Sequence, residues 1–219
     1  MLRDVDLKDI SDGKLYQLND MVRADCGDCK GCSECCHVTS DTIVLDPLDV
    51  WNLAIHTGYT FEQMLSHTIE LGVTDGIILP HLIVDEKVGC AYLNKEGRCS
   101  IHKYRPGLCR IFPLGRIYDK ETHSFSYFLQ THECVKENRI KVKVSKWIDV
   151  PDLSKNQKYI ADWHFFLLEL QDKMPVGTDM DAMKKINLLV LKQFFITPYS
   201  SEDFYTQFYK RLDEIGKDI

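Results

Sequence analysis

The run Cys26-Gly-Asp-Cys-Lys-Gly-Cys-Ser-Glu-Cys-Cys36 places five thiols within eleven residues, and Cys90, Cys99, Cys109 and Cys134 follow it. Packing a hydrophobic core does not call for that density. A spacing of two residues lets successive sulfurs turn toward one centre while the intervening Gly, Asp, Lys, Ser and Glu stay in water, which is what a tetrahedral thiolate site requires. The chain is therefore expected to fold so that its loops meet at a shared sulfur-rich centre.

Length and charge set the wider bounds. A chain of 219 residues, 44% hydrophobic and 27% charged, can bury a core of its own without metal holding the whole of it together. The formal net charge of −6 argues against nucleic acid and anionic membrane as partners, because both are held by phosphate neutralisation. The one basic stretch, Lys136 to Lys146, contains the alternation Ile140-Lys-Val-Lys-Val144 and reads as a strand with a solvated basic face. Acids near the N-terminus and the lack of about 18 uninterrupted apolar residues point away from a signal peptide or a membrane span, so a cytoplasmic protein is expected. Reducing conditions there favour metal ligation over a disulfide framework for nine cysteines.

Local signals predict an α+β fold: a small cysteine-rich, metal-organised half with short hairpins over residues 1–150, then a helical carboxy-terminal half over 151–219 packed on it. Leu15, Leu18 and Val22 fall at helical spacing and predict an amphipathic helix over 13–23, hence a helical N-terminus. Thr42 to Leu45 reads as a brief strand. Asp46, Pro47 and Asp49 supply a cap, a proline at the first helical position and a first-turn acid for a helix reaching about His56. Thr60 and Gln63 form a capping box for a helix whose apolar face is Phe61, Met64, Leu65 and Ile69. Residues 76–84 read as one bent edge strand or two short ones around Pro80. Hairpins are expected around the Asn94-to-Gly97 loop and the Asp119-to-Glu121 turn, with a helical turn from about Pro106. Beyond Pro151, Ile160, Trp163, Leu167 and Leu170 form one helical face, Met183, Ile186, Val190 and Phe194 a second, and Phe204, Phe208, Leu212 and Ile215 a third.

Two ligand registers are open within the cysteine run. Cys26, Cys29, Cys32 and Cys36 match the spacing of a bacterial ferredoxin run, with His37 where that motif has proline. The other register takes Cys29, Cys32, Cys35 and Cys36 and leaves Cys26 outside. Residues 29–36, then Cys90, Gly97-Arg-Cys-Ser-Ile-His102, Arg105-Pro-Gly-Leu-Cys-Arg-Ile-Phe-Pro113 and Cys134, resemble the cysteine-cluster family of zinc- or iron-chelating proteins. The resemblance covers roughly residues 26–136. It implies eight metal-ligating cysteines: Cys29, Cys32, Cys35, Cys36, Cys90, Cys99, Cys109 and Cys134, with Cys26 extra. A flagellin lysine N-methylase shares this kind of motif, which implies protein-modifying chemistry, and a protein or peptide substrate, somewhere in the wider group.

Neighbouring residues of extended backbone point to opposite sides, so Cys35 and Cys36 do not easily serve one small ion, and eight thiolates suggest two centres, or one iron-sulfur cluster beside a second site. One four-iron cluster with spare structural cysteines is the competing count. Zinc and an iron-sulfur cluster both accept tetrahedral sulfur. Arg105 and Arg110 flank Cys109 and are candidates to offset thiolate charge, Arg105 from one helix face at i,i+4. His37, His102 and His132 lie near cysteines but are not needed as ligands, and His164, beside Trp163, reads as structural. Phosphate-loop, dinucleotide and nucleophile-elbow motifs are missing. The expected function is metal binding, with two alternatives: an iron-sulfur-dependent enzyme modifying a peptide side chain, or a zinc-stapled interaction module.

Overall fold

The computed structural model describes residues 6–27, 32–37, 43–85, 87–131, 133–136, 138–174 and 179–217. Where a helix is expected over 13–23, the chain instead forms two strands, β1 (Ser11–Tyr16) and β2 (Met21–Asp25), preceded by a single helical turn, α1 (Leu7–Ile10). The reason lies in burial: Val22 and Ala24 are buried while Met21 and Arg23 between and before them are exposed, a period of two rather than 3.6. Leu15, which suggested the helical face, is 54% exposed. Gly13 sits at φ +74, a conformation that would break a helix at its first turn.

The two strands are claimed by separate partners late in the chain. β1 joins β8 (Ser124–Gln130), which pairs on its other side with β7 (Leu114–Asp119), giving the antiparallel order β1-β8-β7. β2 pairs antiparallel with β9 (Ile140–Lys143), setting Val22 against Val142. The β7–β8 hairpin turns where the sequence places it, and Asp119 fixes the turn by accepting from the Glu121 N–H and the Thr122 hydroxyl.

Between these strands the capping signals hold. α2 (Pro47–Thr57) opens on Asp46, whose carboxylate accepts from the Asp49 N–H while that of Asp49 accepts from the Asp46 N–H, and it closes on Gly58 at φ +71. α3 (Phe61–Leu65) carries the reciprocal Thr60–Gln63 box. This helix stops before Ile69, which instead opens β3 (Ile69–Thr74), paired in register with β4 (Ile77–Leu82). Pro80 lies inside β4, a two-stranded ladder where no central position asks for its missing N–H. The expected strand before Asp46 is a single bridge, Val44 to His81, with Thr42 outside the described residues.

α5 (Val144–Ile148) leads to α6 (Leu153–Asp172), α7 (Met180–Leu191), which runs on into a π turn over Lys192–Ile196, and α8 (Phe204–Ile215). All three predicted faces are found, and their aromatics interlock: Trp163 meets Phe194 edge-on at 5.0 Å and Tyr159 meets Phe208 at 4.6 Å. Polar links tie this helical half to the rest. The Tyr159 hydroxyl accepts from the Leu48 N–H at 3.0 Å, and Asn187 accepts from the Ile78 N–H at 2.6 Å. The fold is α+β, with one hydrophobic core running from Val22 through Ile215. Among the described residues no helix is long and apolar enough to cross a membrane.

Candidate metal centre

Four separate chain segments deliver thiols to one place. The first is a short 3-10 turn, Glu34–His37, held by a hydrogen bond from the Cys36 N–H to the Ser33 carbonyl at 2.8 Å and carrying Cys35 and Cys36, with Cys32 just before it. The second is β6 (Gly89–Cys90), paired with β5 (Val84–Asp85). The expected hairpin around the Asn94-to-Gly97 loop forms but is short: the Asn94 N–H donates to the Arg98 carbonyl and the Ser100 N–H to the Tyr92 carbonyl, both at 2.8 Å, about a bridge between Leu93 and Cys99. Cys90 is taken by β5 instead. The third segment is the one carrying Cys99, tied back by bonds from the Ser100 N–H and hydroxyl to the Tyr92 carbonyl. The fourth is α4 (Gly107–Ile111) with Cys109.

Two contacts that the sequence did not advertise set these segments against one another. Gly89 is at φ +91, and a Cβ there would lie 2.8 Å from the His37 ring and 3.1 Å from the Cys36 carbonyl oxygen. The approach of β6 to the 35–36 turn is therefore open only to glycine. Asp49, read from sequence as a first-turn acid, is buried, and its Oδ1 accepts from the Gly107 N–H at 2.8 Å. It thereby pins the start of the Cys109 helix to α2, 58 residues earlier.

Cys32, Cys35, Cys36, Cys90, Cys99 and Cys109 all line one small cavity of about 70 Å³, whose wall is otherwise largely apolar. Of the remaining predicted ligands, Cys29 lies outside the described residues, and Cys134 lines a different cavity. Cys26 is near enough to Cys35 for its charge to oppose ionisation there. The Cys36 thiol donates to the Cys35 sulfur, which brings Cys35 down to about 7 and drives Cys36 up. Burial raises Cys90, Cys99 and, most strongly, Cys109.

The basic residues divide. Arg105 lines the cavity, and its charge favours the thiolates of Cys35 and Cys99. It does so from outside α4 rather than from a shared helix face, because it precedes Pro106 in extended backbone and donates to the His102 carbonyl at 3.0 Å. Arg110 turns away, donating to the carbonyls of Lys103 and Asp149. Arg98, which sequence reasoning missed, lines the cavity and favours ionised Cys99. Its only signal was its place beside Cys99. His102 also lines the cavity, His37 packs against Gly89, and His132 lies outside the described residues.

The donor set fits a soft metal: six thiols around one small cavity, two guanidiniums to offset thiolate charge, and no carboxylate among the described lining residues. Among the described residues no three Cys, His, Asp or Glu side chains already stand close enough to grip one ion.

Neither the curated proteins nor the solved structures include a significant match to the chain. The family comparison does match: the CxxCxxCC model, described as "Putative zinc- or iron-chelating domain", covers residues 28–143, more than half of the chain and all four segments that bring cysteines to the cavity. The chain belongs to this CxxCxxCC family of zinc- or iron-chelating domains.

Proposed function

We propose that Cys32, Cys35, Cys36, Cys90, Cys99 and Cys109, with Cys29 from the same run, supply the thiolates that hold zinc or iron, as two ions or as an iron-sulfur cluster beside a second site, at the cavity between the 35–36 turn, β6 and α4. The observation that carries this reading is the meeting of six thiols from four chain segments at one small, mostly apolar cavity. When bound there, zinc would fasten the loops to one another, and an iron-sulfur centre would in addition carry electrons. Arg98 and Arg105 neutralise the thiolate charge that ligation builds up. Gly89 and Asp49 hold the segments at their spacing. Ile43, Leu82 and Trp147 add apolar surface to the cavity wall.

Cys134 decides between the seven-thiol set and the eight that the sequence resemblance implies. The test is anaerobic purification followed by elemental analysis and an absorbance spectrum. Cys99→Ser is expected to lose most of the bound zinc or iron, and Cys134→Ser to keep it. Loss in both variants would restore the eight-thiol set, and full metal content in Cys99→Ser would remove the cavity as the site. Iron with acid-labile sulfide and visible absorption identifies a cluster, whereas colourless protein with stoichiometric zinc identifies a closed structural site.

A further inference from the structure

The β3–β4 ladder is closed along one side and open along the other. Ile78, Pro80 and Leu82 of β4 turn backbone groups away from β3, and each finds a partner there. The Ile78 N–H donates to Asn187 Oδ1 at 2.6 Å, the Pro80 carbonyl accepts from the Leu45 N–H at 2.8 Å, and the Leu82 N–H donates to the Ile43 carbonyl at 3.0 Å. The β3 residues opposite them are Val73, Leu71 and Ile69. In an antiparallel ladder both members of such a pair face outward, so β3 turns the N–H and C=O of Leu71 and Val73 to its outer edge. Among the described residues no hydrogen bond reaches them from that side. Their side chains are apolar and exposed, Leu71 by 44% and Val73 by 72%. The pairing runs without a bulge from Ile69 to Thr74, and the strand carries neither lysine nor proline, the devices with which natural sheets block such edges. A regular, apolar, open edge is a template for one more strand.

We propose that a second copy of this chain supplies that strand, β3 pairing antiparallel with its counterpart about a twofold axis at Gly72. The edge is self-complementary in that register. Leu71 lies across from the partner's Val73, and Val73 across from the partner's Leu71, so each pair exchanges backbone hydrogen bonds through groups that already face outward. The exposed apolar side chains of both copies then meet on one face of the extended sheet. Gly72 at the axis opposes no side chain to itself, and Glu70, the one charged residue of the strand, falls opposite the partner's Thr74. Other registers lose these matches: centring on Leu71 spends Val73 on Ile69, which is already buried, and centring on Glu70 opposes two carboxylates. A contact that uses the same patch twice about a twofold axis closes on itself as a dimer. The proposal does not depend on the cysteine-lined cavity.

The test is sedimentation velocity of the full-length, metal-loaded protein over a concentration series, with amide hydrogen exchange of residues 69–74 read alongside. A monomer–dimer equilibrium is expected, and exchange at Leu71 and Val73 should slow as the dimer fills. Val73→Lys sets a charge into the apolar contact and should raise the dissociation constant roughly tenfold or more, about 1.4 kcal/mol. Leu71→Pro removes an outward N–H while leaving the bonds of the β3–β4 ladder in place, and should weaken the dimer as much. Ile55→Lys, 52% exposed on α2, should leave the equilibrium unchanged, and metal content should be unchanged in all three variants. Should Leu71→Pro fail to fold, the exposed Val73 carries the test alone. A monomer at every concentration, which would leave the edge to a strand of another protein, or a dimer indifferent to Val73→Lys, overturns the proposal.

Discussion

Replacing Asp49 with alanine is expected to destabilise the protein by about 3 kcal/mol, the order of the cost of leaving two buried backbone donors without an acceptor. The Asp49 carboxylate accepts from the Gly107 N–H at 2.8 Å and from the Asp46 N–H at 3.3 Å. The Arg116 guanidinium stands beside it: a Cβ at Gly107 would lie 3.7 Å from Asp49 Oδ1 and 3.9 Å from Arg116 Nη2. Alanine therefore leaves two backbone donors without an acceptor and removes a counter-charge from Arg116, whose Nε already lacks a partner. Burial holds the carboxyls of both Asp46 and Asp49 above the usual carboxylate range, and the Asp46 charge raises Asp49 further. A group whose folded pKa is raised contributes most below its unfolded value, about 3.9 for Asp, and that contribution is lost as pH rises toward the folded value. Urea unfolding should thus show the large loss in the variant together with a flatter fall of stability above about pH 4. Less than about 1 kcal/mol, an ordinary cap's contribution, would reduce Asp49 to capping α2 alone. Because Cys109 lies two residues beyond Gly107, metal content should fall as well.

Gly89→Ala is expected to separate stability from metal binding. The strain of φ +91 in a residue with a Cβ costs roughly 1–3 kcal/mol. The sharper effect is local, because the new methyl meets the Cys36 carbonyl oxygen at 3.1 Å and the His37 ring at 2.8 Å. The ring can swing aside but the backbone carbonyl cannot, so the turn carrying Cys35 and Cys36 is pushed from Cys90. Elemental analysis should show most of the zinc or iron lost from a protein that still melts cooperatively. Gly97→Ala supplies the comparison: Gly97 is also left-handed, at φ +69, but a Cβ there meets nothing within 4 Å. That variant should bear a similar strain and keep its metal. Equal metal content in the two would mean that the β6 approach does not shape the site.

Much of the fold was written locally. Asp46-Pro-Leu-Asp49 and Thr60 with Gln63 announce helix starts because a cap is a contact between residues three apart, which spacing alone can encode. The aromatic faces of α6, α7 and α8 are legible for the same reason. The N-terminal strands were not. Leu15, Leu18 and Val22 satisfy a helical spacing in so short a window, and what turns 11–25 into strands is pairing with residues more than a hundred positions later, Phe128 and Val142 among them. Ile69 was lost from its expected helix to Leu82 in the same way.

The site divides along the same line. The cysteines themselves stand out, and their spacing brings Cys32, Cys35 and Cys36 to the place where Cys90, Cys99 and Cys109 arrive. What arranges them is non-local and inconspicuous in sequence: an aspartate that looks like a cap, a glycine that looks like part of a turn, and Arg98 where Arg110 was expected. Cys134 follows the family pattern in sequence yet lines a separate cavity beside β2 and β9.

X-ray absorption at the zinc or iron edge of the anaerobically purified protein tests directly whether sulfur from the shared cavity is the inner coordination sphere of the metal. The expected result is a first shell dominated by sulfur at about 2.3 Å, diminished in Cys99→Ser. A first shell of nitrogen and oxygen at about 2.0–2.2 Å, unaltered by that substitution, would contradict it.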